Sequence, residues 1–159
     1  MCELQDIVGY IYKQYPYKGE LSKGRITKLV YLVDWTMCLM AHVQVSKLRW
    51  FFNQYGPYSE EIEHLIRSND LFTYQDTDNY YGGNKKSIKL KYEDEFLPEI
   101  SDVQKSVIDA TIKKTQDITW QEFTNMVSRT YPLVTQTQYQ YLNLPELAQQ
   151  YVKKIKSTS

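Results

Sequence analysis

A chain of 159 residues, 42% hydrophobic and 24% charged, has the material for one buried core and no long polar spacer that would separate two. Nineteen basic and nineteen acidic side chains cancel, so no overall positive field draws in a phosphate backbone, and two cysteines are too few for a disulfide framework. Disordered, disulfide-stapled and strongly basic classes are therefore set aside, and tyrosine is left as the unusual feature, with fifteen against five Phe and three Trp.

The opening stretch, "MCELQDIVGY", carries acids where a secretory signal needs a basic lead, and no such signal is expected. Leu4, Ile7, Val8 and Ile11 share one helical stripe. Pro16 and Gly19 punctuate the end of that helix between Tyr15 and Gly19. Apolar positions resume at Ile26, Leu29, Val30, Leu32, Val33 and Met37 around most of a helix, which predicts a central core element over 26–41. The apolar run within it is broken by Asp34 and is too short to cross about 30 Å of hydrocarbon, so no membrane span is expected. Asp34 and Lys28 must find partners or reach the surface, because an unpaired buried charge is expensive.

After His42 the alternation of Val43, Val45, Leu48, Trp50 and Phe52 predicts a strand. Gly56 and Pro57 end it, and Pro57 suits the first turn of a following helix. Glu60, Glu61 and Glu63 at its start and Arg67 near its close match the helix dipole, while Tyr58, Ile62, Leu65 and Ile66 form its apolar stripe. "LFTYQ" and "SIKLKY" predict a hairpin with Gly82 and Gly83 at the tip, which with the Trp50 strand would make a small antiparallel sheet. Ser101 with Gln104, and Thr119 with Glu122, are capping-box pairs that open two more helices. Pro132 is expected to stop the second by keeping Tyr131 out of the helical region. A last short helix from about Pro145 carries Leu147, Ala148, Tyr151 and Val152, with a tail fraying from about residue 154. The fold class read from this order is α+β and predominantly α-helical: one compact domain over 1–159 with a small antiparallel sheet or hairpin.

The chemistry-bearing residues are sparse. His42 and His64 lack the companions that a zinc site needs, and Cys38 with His42 at i, i+4 supplies two groups only. No nucleophile elbow or phosphate-binding glycine loop is present. A carboxyl inside an apolar helix, as at Asp34, can serve as an acid or base, but no second acid stands at a recognisable spacing. The favoured reading is a structural lock in which Asp34 accepts hydrogen bonds from backbone donors or a tyrosine. No catalytic, metal or cofactor-binding residue is assigned. Lys85, Lys86, Lys89 and Lys91 with the nearby tyrosines make the hairpin the best nucleic-acid candidate, yet Asp76, Asp78, Glu93, Asp94 and Glu95 bracket it. A nucleic-acid-binding regulator using that hairpin therefore stands as the alternative.

Three blocks in series, "ITKLVYLVDW", "WFFNQYGPYSEEI" and "ITWQEFTNMVSRTYP", resemble the Panacea domain of the SocA-like antitoxin family. The resemblance runs from about Leu4 to Pro132, with two departures: Ser59 and Glu60 follow Gly56-Pro57-Tyr58, and Leu133 stands where a Trp is usual. On it, Asp34, Trp35, Trp50, Tyr55, Gly56, Pro57, Tyr131 and Pro132 are motif positions that mark the fold. The resemblance implies a cytoplasmic antitoxin, without cofactor, that binds and neutralises a toxin protein encoded next to it. It implies nothing of that toxin's chemistry. Exposed rings are the natural anchors for such a partner, and Tyr80, Tyr81, Tyr139 and Tyr141 are the candidates.

Overall fold

The computed structural model describes residues 2–78 and 84–158. Among them are seven α-helices and five strands: α1 (Leu4–Gln14), α2 (Lys23–Ala41), β1 (Trp50–Asn53), β2 (Gly56–Tyr58), α3 (Glu60–Ser68), β3 (Phe72–Asp78), β4 (Asn84–Leu90), α4 (Asp102–Thr115), α5 (Trp120–Ser128), α6 (Tyr131–Thr135), β5 (Gln140–Leu142) and α7 (Leu144–Thr158). This is a predominantly helical α+β fold. No helix among the described residues is long and apolar enough to cross a membrane.

α2 is the central element, buried along most of its length and packed against α1, α3, α4, α7 and β2. Ser22 caps its start by accepting from the Arg25 amide at 3.1 Å, and His42 ends it in the left-handed region at φ 59°. Ile26, Leu29, Val30 and Tyr31 on α2 are fully buried, as are Ile7 and Ile11 of α1, Ile62 of α3 and Phe123 of α5. Each such aliphatic side chain contributes roughly 1.5–3 kcal/mol through burial. Rings tie in the C-terminal helices: Trp35 of α2 meets Tyr151 of α7 at 6.2 Å, and Tyr151 meets Tyr131 of α6 at 5.0 Å.

The sheets depart from the expected arrangement. β1 lies between β2 and β5 in a three-stranded antiparallel sheet, and among the described residues β3 pairs only with β4, in a separate hairpin. The hairpin buries Phe72, Ile88 and Leu90 and is tied to the segment before α2 by the Ile88 amide, which donates to the Leu21 carbonyl at 2.8 Å. Its own hydrophobic face is thus used up against the helices, and the place beside β1 goes to β5.

Three boundaries are corrected as well. Residues 42–49 are irregular, and the strand starts at Trp50 because the backbone before it turns towards Asp34 to donate hydrogen bonds. Pro57 is not in the first turn of a helix: it lies in β2 opposite Phe52, and α3 begins at Glu60. Gly56 reverses the chain at φ 110°, a conformation open to glycine, and Pro57 is tolerated because β2 is an edge strand that can spare a donor. Pro132 does not stop α5 either. Thr130, extended at ψ 148°, separates the two helices, with Tyr131 opening α6 and Pro132 in its first turn, where a missing N–H costs nothing. Helical geometry in α7 runs on through Thr158, past the point where the tail was expected to fray.

Candidate protein-contact surface

Beneath the sheet, the carboxylate of Asp34 is fully buried and accepts from five donors: the Val45 amide (2.9 Å), the Ser46 amide (2.8 Å), the Ser46 hydroxyl, the Trp50 indole (2.9 Å) and the Gln44 side-chain amide (3.4 Å). Burial pushes its carboxyl above the usual range, and the donors from Ser46, Trp50 and Val45 pull the other way. Every lone pair is engaged, so this aspartate holds the 42–49 segment and β1 against α2 and has no acceptor left for a substrate proton. The donors are two backbone amides, a hydroxyl, an indole and a side-chain amide; among the described residues no tyrosine takes part. Nearby, burial and the Asp34 charge raise the Cys38 thiol to about 12, which keeps it protonated and inert. His42 is exposed at the end of α2, and no group of three or more His, Cys, Asp or Glu among the described residues could hold a metal ion.

The outward side of the sheet has a different character. Pairing places Tyr58 of β2, Phe51 of β1 and Tyr141 of β5 in one row across three strands. Because side chains alternate, Trp50 goes into the core while Phe51 and Arg49 share the outer face. Phe51 meets Tyr141 edge to face at 5.1 Å, and the Arg49 guanidinium stacks 4.0 Å from the Tyr141 ring centre. Tyr141 remains 58% exposed despite both contacts, and Tyr139, just before β5, is 62% exposed. Glu60 and Glu61, at the start of α3, border a shallow depression beside Arg49, Phe51 and Tyr58. Rings and an arginine held by strands, with acids at the edge, match the composition of interface hot spots.

Where the sheet turns from β1 to β2 it borders a cleft of about 530 Å³. Phe52, Tyr55 and Gly56 form one wall, Trp120, Thr124 and Val127 of α5 the other, and Lys28 of α2 reaches it as well. Thr119 caps α5 by accepting from the Glu122 amide at 3.1 Å, which fixes Trp120 at the first helical position, 47% exposed.

These elements lie in or beside a segment with a recognisable pattern. A family model described as "Antitoxin SocA-like, Panacea domain" matches residues 26–131, two thirds of the chain. The chain belongs to this family. Comparisons with curated proteins and with solved structures found no match. In this Panacea domain the match begins at the first turns of α2 and stops at Tyr131, so Arg49, Phe51 and Tyr58 lie inside it and Tyr139 and Tyr141 beyond it.

Of the rings singled out as partner anchors, Tyr139 and Tyr141 come together at β5, whereas Tyr80 and Tyr81 lie outside the described residues. Among the motif positions, Asp34, Trp35, Trp50, Pro57 and Pro132 are buried and Tyr131 is partly so. Tyr55 differs, being 76% exposed at the β1–β2 turn. The sequence reading missed Phe51, Arg49 and Tyr58 as surface groups. Their signal was strand parity: with Trp50 inward, Arg49 and Phe51 have to point outward. On the hairpin, Asp76 is the cross-strand partner of Lys86, so opposite charges face each other and the local positive field is weakened.

Proposed function

We propose that this Panacea domain is an antitoxin that neutralises a cognate toxin by direct protein–protein contact, without chemistry of its own. The row Tyr58–Phe51–Tyr141 with Arg49 stacked on it is the observation that carries the reading. Rings pre-set by a hydrogen-bonded sheet lose little conformational entropy on docking, which lets a small patch anchor a complex. The absence of free lone pairs at Asp34 and the raised thiol of Cys38 support a binding role over an enzymatic one. The partner would be the product of an adjacent gene, met in the cytoplasm.

Coexpression with that product should restore growth, and the two chains should copurify. Tyr141→Ala and Phe51→Ala should each weaken the complex by about 2 kcal/mol, the range of an interface hot spot, while helix content stays unchanged. Neither rescue nor copurification would remove the antitoxin reading. A complex indifferent to both substitutions would place the contact elsewhere on the domain.

A further inference from the structure

Among the described residues, Lys28 is the one charged residue that lines the cleft between α5 and the β1–β2 turn, and no aspartate or glutamate lines it. The ammonium sits 5.6 Å from the Trp120 ring centre, and among the described residues no carboxylate lies within ion-pair distance. Burial holds this lysine below its usual range. One turn earlier on α2, Arg25 is buried with its guanidinium 5.3 Å from Trp120 and 5.1 Å from Phe123. Its side chain donates to the Tyr15 hydroxyl at 3.3 Å, its Nε has no hydrogen-bond partner, and it too has no carboxylate within reach among the described residues. Two cations thus share one indole with no counter-charge. Ring faces offset part of their desolvation, but a carboxylate would offset far more.

We infer that the cleft receives an acidic side chain of the toxin, an aspartate or glutamate whose carboxylate pairs with Lys28 while its stem packs on Trp120 and Tyr55. This rests on the antitoxin reading above. The walls favour an amino-acid side chain: Phe52, Val127 and Leu133 are apolar, Gln54 and Gln138 offer amides, and a single lining cation matches a single negative charge. The cleft also lies beside the chain that leads into β5: Gln138 lines it, and the amide of the next residue, Tyr139, donates to the Phe52 carbonyl.

A lysine kept for a partner and a lysine kept for the fold respond oppositely to removal. The test uses the full chain and the product of the adjacent gene, with the melting temperature of the free chain and the Kd of the complex as readouts. Lys28→Met should leave the melting temperature unchanged or raise it, and should weaken the complex at least tenfold. Lys28→Arg should bind within about threefold of the parent. Lys28→Glu should abolish binding, to be restored by lysine in place of one exposed acid on the toxin. Unchanged affinity in Lys28→Met would overturn the inference while leaving the antitoxin reading intact. No complex with the parent chain would remove both. If Lys28→Met loses stability and binding together, the charge-reversal pair decides: rescue upholds the acidic anchor and its failure overturns it. Competition by inorganic phosphate at millimolar concentration, lost in Lys28→Met, would reassign the cleft to a phosphate and overturn the carboxylate.

Discussion

Asp34 shows how one polar side chain can organise an apolar core. Five donors converge on it from residues 44–50, so the segment after α2 is folded around a carboxylate instead of continuing as a strand. Asp34→Asn puts an amide N–H against donors and leaves one or more of them unsatisfied at about 1–3 kcal/mol each. The expected loss is about 3 kcal/mol, read as a lower urea midpoint with an unchanged slope, and Asp34→Ala should lose more. That a buried aspartate needed partners was legible from its place in an apolar run. That Ser46 and Trp50 would supply them was not, because a hydrogen bond between residues 12 or 16 apart depends on where the loop closes.

Among the elements, those announced by local chemistry came through with their boundaries. Ser101 and Gln104 form both halves of a capping box, and Thr119 caps α5. Ser101→Ala and Thr119→Ala should each cost about 1 kcal/mol of stability, seen as a lower melting temperature. They should differ in a second readout. Thr119 fixes the turn that presents Trp120, so its loss should also weaken the proposed toxin complex, whereas Ser101→Ala should leave affinity alone. Prolines were harder to read because their effect depends on context. A missing N–H suits a helix start and an edge strand equally, and the register opposite Phe52 put Pro57 in the strand. β5 escaped notice because three residues are too few to show alternation, and only the vacant edge of β1 makes them a strand.

For the molecule as a whole, tyrosine sets the response to alkali. Burial, with Asp109 beside it, raises Tyr10 to about 12, and burial raises Tyr12, Tyr15 and Tyr31 as well, against about 10 in an unfolded chain. Above pH 10 the unfolded state therefore binds fewer protons than the folded one, and stability falls as pH rises. The contribution of these groups is complete below about pH 10 and is lost as pH climbs through the folded values, near 12 for Tyr10. Lys28, lowered by burial, has the opposite slope, but it is a single group whose slope ends at the ordinary lysine value, where that of the buried tyrosines begins. The share of tyrosinate absorbance that belongs to the buried rings should therefore appear together with loss of helix signal; ionisation of all the tyrosines with helix content intact would contradict this.

What could be read without coordinates was what local physics settles: the buried α2 from its all-round apolar pattern, the caps, the acidic start of α3 and the hairpin, each dependent on residues close in sequence. The Panacea family was legible too, but by resemblance of three blocks in series. Which strand lies beside β1, which rings face outward, and the meeting of Lys28, Trp120 and Tyr55 at one cleft were decided by tertiary packing. Those contacts join residues up to about 90 positions apart, and a side chain's exposure there is set by what the rest of the chain leaves uncovered.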